Sequence, residues 1–137
     1  MLEEYFKALQ EEGQGVNPLF ALLGAKLDLV SPAEVRLCLP VSRSLLQGAG
    51  VVAGGILSTL ADEAMAHVVM ANLEEGCKTA TIEMNMRFLR SVSKGTLLAT
   101  GRILRRGRTI VTAEAEVRDQ DDVLLALGGA SFMVINA

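Results

Sequence analysis

Tryptophan is absent from this chain of 137 residues, and its only aromatics are one tyrosine and four phenylalanines. A core built from it must be aliphatic and methionine-filled. The two cysteines, Cys38 and Cys77, are too few for a disulfide framework and stand in no metal-ligand spacing. Both are read as reduced, which suits a cytoplasmic chain. Histidine occurs once, as His67, so no second imidazole completes a metal site with it. Charge of one sign is also scarce. Thirteen basic against 16 acidic residues leave a net −3, which argues against nucleic acid. The longest apolar run is broken by Asp62, Glu63 and His67, so no membrane span is expected. The opening MLEEYFKALQEEG is acidic and amphipathic, unlike a secretory signal. A nucleophile elbow, the Lys-Ser/Thr of a P-loop, internal repeats and low-complexity segments are all missing.

Half of the residues are hydrophobic, enough for one sizeable core, and the length suits a single domain, 1–137. Residues 2–12 suit a short helix, with Leu2, Tyr5, Phe6 and Leu9 on one face and Gly13 ending it; Gly15 to Pro18 reads as a loop. KLDLV (26–30) and EVRLCLP (34–40) are strand-like and joined by the turn residues SPA, a hairpin signal. After a connector over 41–52, one long apolar helix is expected at about 53–73. The period then becomes twofold. In TIEMNMRFL, Ile82, Met84, Met86 and Phe88 alternate with Thr81, Glu83, Asn85 and Arg87. SVSKG, RRGR and DQDD read as turns between further strands, and Gly101 as a bulge or a point of close packing. Four strands over about 78–135 therefore predict an antiparallel meander covered by the long helix.

On a helical wheel, Ile56, Leu57, Leu60, Ala61, Ala64, Met65, His67 and Val68 fill half of the circumference. Asp62 lies on the other half among Ser58, Thr59, Ala66 and Val69. A solvated face would be rich in Lys, Glu and Gln. Small residues around one carboxylate suggest close approach by another chain or a ligand. An Asp in such a place must be paired, hydrogen-bonded or protonated. A local structural role is the plainer alternative for Asp62, and more so for Glu63, which precedes His67 by one helical turn. On the apolar side of the wheel, His67 reads as a satisfied core or edge imidazole.

GVVAGGILSTLAD (50–62) resembles the signature of hotdog-fold acyl-CoA thioesterases of the phenylacetic-acid-pathway type, Asn-x-x-Gly-x-x-His-Gly-Gly-x4-Leu-x-Asp. TIEMNMRFLRSVSKG is similar to the strand of that family that ends in Phe-Leu-Arg-Pro and a glycine, and GRTIVTAEAEV to its Gly-Arg/Lys-Thr strand. The resemblance runs over roughly residues 20–135. It implies an α+β hotdog fold, an antiparallel β-sheet wrapped around one long central helix. Three positions depart from the pattern. The family histidine is Ala53, its asparagine falls on Gln47, and its proline is Ser91.

The implied activity is hydrolysis of a short- or medium-chain or aryl acyl-CoA. Asp62 would serve as general base, or as nucleophile through a mixed anhydride. The amides of Gly54 and Gly55, open for lack of a side chain, would polarise the carbonyl. Gln47 could offer an amide where the family has asparagine. By resemblance Thr81 helps to hold the water or the carboxylate, although a β-branched strand residue is an equal reading. Gly54 and Asp62 lie eight residues apart, about 12 Å of helix rise, so one helix cannot bring both to one carbonyl. Two antiparallel helices across a twofold axis can, twice per dimer. Self-association as a homodimer, and as a dimer of dimers, is thus expected. Ser58 and Thr59 join the substrate-facing set. Arg87, Arg90 and Arg108, with Lys94, Arg105 and Arg106, are candidates for the phosphates of coenzyme A, though turn arginines are commonly just solvated. No cofactor is implied, because coenzyme A arrives as part of the substrate, and no metal.

A non-catalytic acyl-CoA-binding hotdog module is the alternative, favoured by Ala53 and Gln47. A hotdog dehydratase ranks last, since it would need a catalytic histidine paired with a carboxylate.

Overall fold

A computed structural model describes residues 2–136. The chain begins with two short helices, α1 (Leu2–Ala8) and α2 (Pro18–Leu23). The hairpin β1 (Lys26–Val30) and β2 (Glu34–Pro40) follows, then a 3-10 turn at Arg43–Leu45 and the long helix α3 (Gly54–Met70). Four strands close the chain: β3 (Lys78–Phe88), β4 (Thr96–Arg106), β5 (Ile110–Asp119) and β6 (Leu124–Ile135). All six strands form one antiparallel sheet in the order β1-β2-β4-β5-β6-β3, curled around α3. This is the expected α+β hotdog architecture.

The scarcity of aromatics sets the packing. Leu57, Leu60, Ala61, Ala64, Met65 and Val68 of α3 are fully buried against a sheet face lined by Ala99, Ala113, Ala115 and Ala130 as well as larger aliphatics. These small side chains let the helix lie close to the strands. Gly101 marks the tightest point: a Cβ there would stand 2.6 Å from the backbone carbonyl of Ala64. Gly101 is thus a close-packing glycine, and the bulge of β4 lies further on, between Ile103 and Arg105.

Four expectations are corrected. First, the last four strands are not a simple meander. Only β4, β5 and β6 run in sequence; β3 pairs with β6 at the far edge, and β4 pairs with β2. Residues 89–95 are therefore a crossover rather than a turn. Leu89 and Arg90 donate to the Leu125 carbonyl, Val92 accepts from Val52, and Gly95 accepts from Val41, pinning the crossing segment across the sheet end. Second, β3 does not alternate throughout. A bulge between Thr81 and Glu83 leaves Ile82 out of step and 50% exposed, while Met84 and Met86 pack on the core. Third, the N-terminal helix stops at Ala8 instead of about residue 12, and residues 18–23 are helical. Asn17 caps α2 by accepting from the Phe20 N–H, Pro18 opens it and Gly24, at φ 83°, closes it. Fourth, Val69 is fully buried although the wheel placed it beside Asp62. β3 runs back along this side of the helix, with Thr81 against Asp62 and Phe88 against Gly54.

Gly101→Ala is expected to lower stability by about 1–3 kcal/mol, because helix backbone cannot yield as a side chain can. Gly48→Ala, whose Cβ would meet nothing within 4 Å, is expected to leave it nearly unchanged. Urea midpoints of the two variants against the parent check this.

Candidate active site

The start of α3 is a pinned, bare helix end. Ala53 occupies the N-cap position with extended backbone and no capping side chain, and its N–H donates to the Leu45 carbonyl. The next two amides, of Gly54 and Gly55, lie in the first turn and have no intrahelical acceptor. A Cβ on Gly55 would point into open space, and one on Gly54 would touch the Phe88 ring at 3.5 Å. Beside them lies an open groove of about 300 Å³, lined by Gln47, Val51, Gly54, Phe88, Leu89 and Arg90 among others. It gathers three predicted site residues, Gln47, Gly54 and Arg90. The Gln47 side-chain oxygen accepts from the Ala49 N–H, which tightens the loop and leaves the Gln47 NH2 group as its free donor.

Asp62 sits two turns further along α3, half-buried. Its carboxylate accepts a hydrogen bond of 2.8 Å from the Thr81 hydroxyl of β3. The bulge makes this contact possible. Thr81 stands opposite Phe132, which is fully buried, so both face the helix; without the extra residue, Met84 and Thr81 could not share that face. Ser58 and Thr59 are half-buried one turn before Asp62. The Thr59 hydroxyl is spent on the Gly55 carbonyl at 2.8 Å. One chain therefore presents two half-sites on one helix, about 12 Å apart: an amide end and a carboxylate.

Behind Asp62 lies a polar chain that sequence reasoning missed. His67 is 3% exposed, and its Nδ1 meets the Glu63 backbone carbonyl at 2.6 Å. A carbonyl only accepts, so Nδ1 carries the hydrogen. Nε2 must then accept from the Tyr5 hydroxyl at 2.9 Å, and that hydroxyl in turn accepts from the Asn17 side-chain amide at 2.9 Å. Tyr5 also stacks on the His67 ring, and Phe20 tilts against it. Burial lowers the His67 pKa, keeping the ring neutral as this pattern requires. Glu63 thus reaches His67 through its backbone, while its side chain faces Tyr5 and raises that phenol's pKa, an effect smaller than that of burial. Burial pushes the Glu63 carboxyl up to about 7, with the adjacent Asp62 charge adding to the shift. The one signal in the sequence was Asn17-Pro18, a helix-opening pair that fixes where Asn17 can reach.

The six basic residues do not form one cluster within the chain. Arg87, Arg90 and Lys94 lie at the sheet end beside the start of α3. Arg105, Arg106 and Arg108 lie at the opposite end, in the β4–β5 hairpin beside Leu73 and Glu74. Eleven residues of β3, roughly 35 Å of strand, separate the two ends. Among the described residues no group of His, Cys, Asp and Glu could hold a metal ion, and Cys38 and Cys77 are free thiols. Nor, among them, is any helix long and apolar enough to cross a membrane.

Comparison with known proteins gives a consistent picture. The profile of the thioesterase superfamily matches residues 49–126, from the loop before α3 into β6. A Deinococcus radiodurans protein that carries a provisional esterase name is 36% identical over 114 residues, covering 80% of this chain and 75% of its own. The structure of a thioesterase family protein from Silicibacter pomeroyi superposes with a TM-score of 0.86 at 27% identity, covering 99% of this chain and 96% of that one. A phenylacetic acid degradation-related protein from Ralstonia eutropha, provisionally called a thioesterase, has a TM-score of 0.83 at 29% identity, covering 94% and 98%.

Tyr5→Phe removes the donor to His67 Nε2 and strands the Asn17 amide. A loss of about 1–3 kcal/mol is expected. Urea unfolding measures it, and limited proteolysis is expected to show faster cleavage within the first 24 residues.

Proposed function

The chain belongs to the thioesterase superfamily, and from that premise we propose that it hydrolyses acyl-CoA thioesters at sites shared between two copies of itself. The observation that carries this reading is the hydrogen bond from Thr81 to Asp62. It presents an oriented carboxylate midway along a helix whose N-terminal end offers two amides without an intrahelical acceptor.

Chemistry follows from the two half-sites. The Asp62 carboxylate takes a proton from water as the hydroxide oxygen bonds to the thioester carbonyl carbon. Direct attack by the carboxylate, giving a mixed anhydride that water then cleaves, uses the same position. Negative charge gathers on the carbonyl oxygen, where the Gly54 and Gly55 amides of the partner subunit stabilise it. The C–S bond then breaks, and the thiolate of coenzyme A leaves with the proton that Asp62 gained. Gln47, at the same helix end, adds its NH2 donor toward the carbonyl. Ser58 and Thr59 line the approach.

Support for a second copy comes from β3. It is an edge strand of 11 residues with one side unpaired, and Ile82, Phe88 and Leu89 on or beside it are about half exposed. Such an edge is ordinarily covered. Pairing it antiparallel with its own copy brings two α3 helices alongside in opposite directions. Gly54 of each then approaches Asp62 of the other. Arg87 and Arg90 then share an end with the partner subunit's Arg108, a set suited to the phosphates of coenzyme A. The pair can assemble further as a dimer of dimers. Free thiols at Cys38 and Cys77 accord with a cytoplasmic setting.

Thiol release over a panel of short-chain, medium-chain and aryl acyl-CoAs tests the proposal. Turnover of at least one member is expected, with kcat falling about 10²–10⁴-fold in Asp62→Asn while folding is retained. Binding across the panel without turnover would instead indicate an acyl-CoA-binding module, the reading that Ala53 at the family's histidine position favours.

A further inference from the structure

Asp62 and Glu63 are neighbours in sequence, both half-buried, yet their surroundings differ. Asp62 has a hydroxyl donor aimed at it. Among the described residues the Glu63 carboxyl has none. The Tyr5 hydroxyl is close enough to feel the Glu63 charge, but its single hydrogen is committed to His67 Nε2, because His67 Nδ1 already donates to the Glu63 carbonyl. Asn17 donates to the same oxygen and so cannot serve Glu63 through it. Among the described residues no lysine, arginine or histidine forms an ion pair with Glu63. The titratable groups that face it are Asp62 and His67 on α3 and Tyr5 on α1. The first is an anion, and the other two are neutral.

We infer that Glu63 is a positioning residue that carries the proton of an Asp62–Glu63 pair and so holds the site at a single negative charge. Two carboxyls whose environments push them apart divide into an ionised and a protonated member. Here the division is made by hydrogen-bond direction, since the Tyr5 hydroxyl gives its hydrogen to His67 Nε2 and His67 Nδ1 gives its own to the Glu63 backbone carbonyl, so neither serves the Glu63 carboxyl. Its pKa of about 7 agrees with this assignment. The consequence for turnover rests on the proposed thioesterase role of Asp62. The reaction develops an oxyanion and then a thiolate on a substrate that already carries phosphates. A second charge beside Asp62 opposes both.

The test has two arms on the full chain. In the first, carboxyl-labelled protein is titrated by ¹³C NMR. One glutamate resonance is expected to titrate near 7 and to vanish in Glu63→Gln, and the Asp62 resonance is expected to show a second inflection at that pH that Glu63→Gln removes. In the second, kcat/KM is followed from acid to alkaline pH. The parent is expected to lose about tenfold one pH unit above the Glu63 inflection, and Glu63→Gln to lack this fall. A Glu63 resonance with an ordinary pKa of about 4 overturns the assignment. An alkaline fall that survives in Glu63→Gln overturns the positioning role. If no acyl-CoA is turned over, the thioesterase reading fails by itself, and the NMR arm still decides where the proton resides and whether Asp62 responds to it.

Discussion

One hydroxyl, that of Thr81, fixes which way Asp62 points, and the rest of the site is arranged around that contact. The hydrogen bond spans 2.8 Å from an edge strand to the central helix. It exists because β3 takes one extra residue at Ile82. In an unbroken strand, Met84 and Met86 on the helix face would send Thr81 to the opposite face. The bulge lets the same strand serve the core with two methionines and the carboxylate with a threonine. It also throws Ile82 outward, onto an edge whose backbone groups have no partner strand within the chain.

The aliphatic, glycine-bearing core and this contact are parts of one design. With alanines facing it and Gly101 beneath Ala64, α3 lies deep in the curl of the sheet. That depth brings the carboxylate within reach of the strand beside it. The side of α3 away from the sheet is closed by α1 and α2, through Phe20, Tyr5 and the buried His67. Between the sheet edge and these two helices a narrow face of small residues stays accessible. The geometry leaves the amide end and the carboxylate of one chain too far apart to meet on one carbonyl, and the proposed dimer answers that separation.

What could be read in the sequence was local. The β1–β2 hairpin, the limits of β4, β5 and β6 and the body of α3 follow from period and turn residues, and the structure places them where those signals lie. The order of strands was not readable in the same way. SVSKG carries turn chemistry, yet β3 goes to β6, because the strand after the helix must pass along α3 before the chain crosses back. The bulge at Ile82 was hidden for a related reason. Alternation in TIEMNMRFL is perfect on paper, and only pairing with β6 reveals the slip. The short helix α2 was legible in principle, with Asn17 at its cap, Pro18 at its start and Gly24 past its end. Of the site, Asp62 and the glycine pair stood out in sequence, and Thr81 entered only through the family resemblance, level with a plain strand residue. The role of Glu63 did not stand out, since it depends on where Tyr5 and His67 have already given their hydrogens.

Complementation between two defective chains tests most directly whether one site is built from two subunits. Asp62→Asn removes the carboxylate, and Gly55→Val blocks the amide end at a position where a Cβ meets nothing within 4 Å. Each variant alone should be inactive. Mixed in equal amounts, with subunit exchange verified by mass, they should recover about a quarter of parental activity, since half of the dimers then hold one intact site of two. Verified exchange with no recovery would show that Asp62 and the amides act within a single chain, and would contradict the account.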